Sequence, residues 1–186
     1  MDTINLFPTQ IFSHQCDFDL EYLYKKIKEH EENIPNREYS NNGGYQGGNF
    51  KDEYFEKKIR QYIPQRPDIR IGTYDVDAWV NINYNGSSND PHEHLTRGGF
   101  LSGILYVKVP HNSGNIVFQD PRNYMQLRSE PLMYYNDGNS TAPYTPLENE
   151  LLLFPYWLIH GVEENKSNEE RVSIAFNITN VEFKWS

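Results

Sequence analysis

The sequence predicts a mainly β fold with helices at its N-terminal end, and three observations predict it. From about Ile69 onward the chain consists of short β-branched and aromatic runs separated by Gly, Pro, Asn and Asp, the grammar of an antiparallel sandwich or barrel. Before that point, two segments carry apolar residues at helical spacing. A length of 186 residues with 37% hydrophobic and 15% aromatic content is enough for one core.

The first helix begins after Asp19, with Leu20, Leu23, Tyr24 and Ile27 on one face and Pro35 as its stop. The second spans about 52–62, with Phe55, Ile59, Tyr62 and Ile63 on one side and Asp52 as its cap. Between them residues 40–48, Ser-Asn-Asn-Gly-Gly-Tyr-Gln-Gly-Gly, read as a flexible loop, either a plain connector or a lid. Strands are expected at 78–84, 102–109, 115–119, 150–154 and 171–177, with 181–185 adding an edge and 137–146 rich in turns. No repeat or second domain is visible. The expected organisation is a single domain, with 1–68 as helical support and loop and 69–186 as the β core.

A net charge of −9 argues against general affinity for nucleic acid or anionic membrane, because both need surplus Lys and Arg on the contact face. The lone Cys16 excludes an internal disulfide, fits a reducing compartment and reads as a small buried hydrophobe or inert thiol. The N-terminus lacks the regions of a signal peptide, and no run approaches the ~20 apolar residues of a membrane span. A cytoplasmic location is expected, with oligomeric state open and a homodimer among the options.

His14, His30 and His111 read as structural or surface histidines. Asp90-Pro91-His92-Glu93-His94 differs, because it follows the candidate strand Trp79-Val80-Asn81-Ile82-Asn83-Tyr84 and a glycine turn. Residues i and i+2 at a strand end point to one side, so both imidazoles can converge on one ion. A second part lies in Leu151-Leu152-Leu153-Phe154-Pro155-Tyr156-Trp157-Leu158-Ile159-His160, where a buried apolar strand ends at Pro155 and His160 emerges from an apolar turn. A buried neutral histidine suits metal ligation. Arg171 then opens a strand whose alternation puts Arg171, Ser173, Ala175 and Asn177 on one face and Val172, Ile174, Phe176 and Ile178 on the other. An inward Arg needs an anion, either Glu169, Glu170 or a distant acid, or a ligand carboxylate gripped bidentately with help from Ser173.

His-x-His, a distal His and Arg-x-Ser, in that order, resemble the 2-oxoglutarate/Fe(II) oxygenase superfamily. The resemblance extends to a branch common in marine bacteria and their phages. Its motifs appear here as Phe7-Pro8-Thr9, residues 40–46, Trp79-x-Asn81-x-Asn83, His92-x-His94, Ser102-Gly103-x-x-Tyr106-Val107, Phe118-x-Asp120-Pro121-Arg122, Phe154-Pro155 leading to His160, and Arg171-x-Ser173. They span nearly the whole chain.

The resemblance implies a double-stranded β-helix of the jelly-roll, cupin-like kind and a non-haem dioxygenase using Fe(II), 2-oxoglutarate and O2. It would oxidise a protein side chain or small metabolite while 2-oxoglutarate becomes succinate. His92, His94 and His160 then match the metal positions, and Arg171, Ser173 and Tyr106 match the grip on the cosubstrate's far carboxylate. Asn81 and Asn83 either take its other end or face solvent. His94 stands where the superfamily has a carboxylate. Three histidines are the first reading, with Glu93 or Asp120 as alternative oxygen donors and turn capping as the ordinary role of Asp120. The competing function is a cupin-like three-histidine metal protein that is non-catalytic or needs no cosubstrate, for which Arg171 and Ser173 would have no use.

Overall fold

A computed structural model of the protein describes residues 8–64, 69–94, 99–122 and 140–185. In chain order its elements are β1 (Phe12–Gln15), α1 (Leu20–Asn33), β2 (Asn41–Asn42), β3 (Tyr45–Gly47), α2 (Glu53–Ile59), β4 (Ile69–Ile71) and β5 (Asp75–Asn83), followed by β6 (Ser88–His92), β7 (Gly99–Lys108), β8 (Ile116–Gln119), β9 (Thr141–Tyr144), β10 (Glu150–Pro155), β11 (His160–Val162), β12 (Arg171–Thr179) and β13 (Phe183–Trp185).

The strands form a six-stranded antiparallel sheet in the order β1-β10-β7-β12-β5-β3, and a five-stranded sheet in the order β2-β6-β11-β8-β9. The two sheets share an inner core in which Trp79, Ile104, Leu152, Phe154 and Ala175 of the larger meet Ile116 and Phe118 of the smaller. This is the mainly β, jelly-roll double-stranded β-helix that the strand pattern and the resemblance anticipate.

A second core covers the outer face of the large sheet. Val172, Ile174, Phe176 and Ile178 of β12 pack there with Leu23 and Ile27 of α1 and Phe55 and Ile59 of α2. Each helix starts where the sequence puts a cap, because the Asp19 carboxylate accepts from the Tyr22 amide and the Asp52 carboxylate from the Phe55 amide. The second helix ends at Ile59, short of the expected 62, and Ile63 stays in the core from the turn beyond. Among the described residues no helix is long and apolar enough to cross a membrane.

Four expectations are corrected. Residues 40–48 are not a free loop: Asn41–Asn42 joins the small sheet through β6, and Tyr45–Gly47 pairs with β5 at the edge of the large one. Their glycines serve close approach. Gly43 turns the chain with φ +72°, and a Cβ on Gly44 would stand 2.7 Å from the Ile82 carbonyl oxygen. Residues 141–144 form β9 beside β8, although the rest of the 137–146 stretch that lies before residue 140 is outside the described residues, as is Phe7. β13 pairs with β4 in a separate ribbon and adds no edge to either main sheet. β6 was not anticipated at all, since Pro91 within it reads as a turn residue; in the structure it carries His92 as its last residue.

Phe55 ties α2 to the sheet, fully buried and edge-on to Phe176 at 5.8 Å between centroids. Phe55→Ala is expected to cost about 3–5 kcal/mol, the usual range for truncating a buried aromatic, read as a fall in the urea unfolding midpoint.

Candidate metal centre

The facing sheets bring His92, His94 and His160 together, and their ligand nitrogens all lie within 4.8 Å of one another. His160 and His92 are directly paired across β11 and β6, so strand register alone sets two of the three side by side. Their rings are 4.6 Å apart, and His94 stands 5.2 and 5.1 Å from His92 and His160. His94 follows β6 and is anchored by its own amide, which donates to the Tyr156 carbonyl at 3.1 Å.

Each ring has its Nδ1 at an oxygen. His92 Nδ1 meets the Asp90 carbonyl at 2.8 Å and His160 Nδ1 meets the Leu158 carbonyl at 2.8 Å. His94 Nδ1 meets Ser102 Oγ and Asn177 Oδ1, each at 2.8 Å. Carbonyl oxygens only accept, so Nδ1 carries the proton in His92 and His160, and Nε2 is the nitrogen each can offer a metal. Burial, reinforced by the neighbouring His92, pushes the His160 pKa down to about 3, which keeps it neutral and ready to ligate.

The carboxylate alternatives fall elsewhere. Asp120 chelates Arg122, accepting from its Nε at 2.8 Å and its amide at 2.9 Å, and this pairing holds its pKa below the usual range. That is the turn role expected of an Asp before Pro. Glu93 lines the wider cavity with its two neighbours and does not join the three-imidazole group. His30 meets the Gly47 carbonyl and packs on Phe50, His14 packs on Tyr62, and His111 is exposed, as structural or surface histidines should be.

Arg171 is 2% exposed, yet among the described residues no acid pairs with it. Glu169 meets Lys108, and Glu170 meets Lys28 and Tyr24, which removes both internal partners that its sequence neighbours offered. The guanidinium donates to the Gly114 carbonyl at 3.2 Å and sits 5.7 Å from the Tyr106 ring, while its Nε has no partner. Tyr106 is fully buried with an unpartnered hydroxyl, and burial raises its pKa.

The sheet register explains the gathering. Gln46, Asn81, Ser173 and Tyr106 are successive cross-strand partners over β3, β5, β12 and β7, a polar row on the inner face. Gln46 Oε1 and Asn81 Oδ1 are also buried without partners. A narrow inner pocket of about 30 Å³ is lined by Gln46, Asn81, Arg171, Ser173 and the three histidines. Gln46, Trp79, His92 and His94 also border a wider cavity of about 500 Å³ that includes Arg37, Tyr39, Asp77 and Asp90. Asn83 lies outside the inner lining and gives its amide to Asn89 Oδ1 at 2.9 Å. Gln46, Ser102 and Asn177 were not marked by the sequence as site residues. The available signals were that Gln46 and Ser102 fall within motifs of the resemblance and that Asn177 shares Arg171's face.

Residues 77–177, more than half of the chain, match a family model described as "Putative 2OG-Fe(II) oxygenase". The chain belongs to this family of 2OG-Fe(II) oxygenases. Fe(II) and 2-oxoglutarate are therefore its metal and cosubstrate, and three histidines beside an unpaired buried Arg are a donor set that fits both.

No curated protein sequence matches the chain. Among solved structures, a Pseudomonas putida prolyl-4-hydroxylase shares the fold with a TM-score of 0.62 at 14% identity, covering 92% of each chain. A viral collagen prolyl hydroxylase from Paramecium Bursaria Chlorella virus-1, solved as a 2OG complex, gives 0.60 at 15% identity, covering 90% of this chain and 94% of that one. HygX from Streptomyces hygroscopicus, with nickel and 2-oxoglutarate bound, gives 0.58 at 10% identity, covering 92% and 83%.

The His160 shift has a definite sign. In the unfolded chain the imidazole takes a proton near its ordinary 6.5, while the folded metal-free protein resists it down to about 3. Stability of the metal-free protein is therefore expected to fall as pH drops from 6.5 toward 3, with His160→Gln flattening that slope. Urea midpoints at pH 7.5, 6 and 5 after chelation measure it.

Proposed function

We propose that this oxygenase couples hydroxylation of a protein side chain or small metabolite to 2-oxoglutarate turnover, with His92, His94 and His160 as metal ligands and Arg171 as cosubstrate anchor. The observation that carries this reading is the sealed guanidinium of Arg171, which meets no acid among the described residues, in the same pocket as the imidazoles. A buried cation without a counter-charge is costly to fold around, and a dicarboxylate supplies the missing charge. A metal protein that used no cosubstrate would gain nothing from it.

Arg171 would hold the far carboxylate through charge-assisted hydrogen bonds, with the Ser173 and Tyr106 hydroxyls adding donors. The inner pocket is narrower than the cosubstrate, so entry requires its lining side chains to shift, and the unpartnered Tyr106 hydroxyl gains an acceptor. Asn81 lies one strand over from Ser173 and lines the same pocket. His160 stays neutral, and the three imidazoles keep their ligand nitrogens gathered at one point. When bound, Fe(II) and 2-oxoglutarate activate O2 to hydroxylate a substrate C–H bond, leaving succinate and carbon dioxide. The wider cavity beside His92 and His94 has the volume of an ordinary small-ligand site and would take the substrate.

The test is anaerobic titration of 2-oxoglutarate into the Fe(II) protein, followed by succinate release in air. A weak visible charge-transfer band is expected in the wild type, and Arg171→Gln should weaken cosubstrate binding about 10- to 100-fold, the equivalent of losing one charge-assisted interaction of about 1.5–3 kcal/mol. The same substitution removes an uncompensated buried charge, so the ligand-free variant is expected to melt at a higher temperature than wild type. No band at saturation, or unchanged affinity in Arg171→Gln, rejects the reading.

A further inference from the structure

The three imidazoles are held in two different ways. His92 and His160 each lean on the backbone carbonyl two residues earlier, a brace contained in their own turns. His94 instead reaches across to the large sheet, to the side chains of Ser102 on β7 and Asn177 on β12. These two are themselves cross-strand partners, and Ser102 Oγ donates to Asn177 Oδ1 at 2.8 Å. Trp79, from β5, closes the other side of the ring edge-on at 5.4 Å.

Asn177 is fully buried and Ser102 nearly so. The amide oxygen of Asn177 serves both Ser102 and His94, while its Nδ2 is buried with no partner. An amide recruited only to join two strands would satisfy both of its ends, because a buried donor left without an acceptor is costly. Here the oxygen end is the one in use. Both acceptors at His94 are uncharged, so the contact fixes the ring without adding negative charge to it.

We propose that Asn177 and Ser102 are the positioning residues that let a histidine serve at the place where a carboxylate would complete the usual two-histidine, one-carboxylate set. Their oxygens hold the proton on His94 Nδ1, aim Nε2 at the point shared with His92 and His160, and keep the ligand set neutral. An imidazole is longer than a carboxylate and ligates through one defined nitrogen, so its tautomer and ring plane must be set from behind. The neutral set leaves the charge of the metal to be balanced by the dianionic cosubstrate.

This inference rests on the three-histidine reading, and Co(II) binding to the chelated protein separates the two. Wild type should bind Co(II) and His94→Ala should lose most of that affinity; no binding by wild type, or equal binding by His94→Ala, overturns the three-histidine reading and with it the proposal. Given that result, Ser102→Ala and Asn177→Leu should each weaken Co(II) binding by up to about 10-fold, and the double variant by about 100-fold, the range seen when groups supporting metal ligands are removed. A folded double variant that binds Co(II) as wild type does would overturn the positioning role alone.

Asn177→Asp keeps the shape and adds a charge, and it decides the matter should the double variant not fold. It should retain Co(II), bind 2-oxoglutarate to the Fe(II) protein about 10-fold more weakly, and move the charge-transfer band to longer wavelength. Unchanged cosubstrate affinity and band position in Asn177→Asp would overturn the proposal. A merely structural asparagine would move stability and leave both readouts where they are.

Discussion

A guanidinium sealed between two sheets, with no acid among the described residues to meet it, is the constraint around which this molecule is arranged. Arg171 cannot relax toward solvent, because β12 lies between β7 and β5 in the middle of the large sheet. The unsatisfied atoms of Tyr106, Asn81 and Gln46 gather in the same polar row. Such a concentration of unmet polar groups lowers stability wherever it occurs. The fold carries it because the opposite face of the same strands is sealed by α1 and α2 with a purely apolar core.

The proposed metal ligands show how the two sheets divide the work. Register in the small sheet places His160 opposite His92, and no side-chain contact is needed to bring them together. His94 comes from the same stretch of chain but takes its orientation from the large sheet. The distance between the sheets, set by packing such as Phe118 against Phe154 at 5.2 Å, therefore governs how well the third imidazole closes on the other two. Changes to that inner packing would be felt at the metal before they were felt by the fold.

How much of this was legible in the sequence depended on whether a signal was local. Asp19 and Asp52 announce their helices because capping acts over three residues, and β12 announces both faces because alternation is a property of consecutive positions. The histidines and Arg171 stood out by residue type and order. What was hidden was created by pairing between distant segments. Glycines at 43 and 44 read as flexibility, although Gly43 is needed for a turn with positive φ and Gly44 because the neighbouring backbone of Ile82 leaves no room for a side chain. Pro91 concealed β6, and the roles of Ser102, Asn177 and Gln46 exist only once β7, β12 and β3 lie in register. Asn83, equivalent to Asn81 by spacing, was separated from it only by the local bond to Asn89.

The alternation along β12 has an evolutionary corollary. Residues 171, 173, 175 and 177 face the chemistry, while 172, 174, 176 and 178 face the helices, so the two cores are interleaved one residue at a time on a single strand. Substitution can alter either set without disturbing the other. Insertion or deletion of one residue at the start of the strand would exchange them wholesale, sending Ser173 into hydrocarbon and Val172 toward the metal. The length of this strand is thereby frozen while its composition stays negotiable, and lineages that diversify the enzyme can do so by point changes here and by changes of length only in the connections between strands.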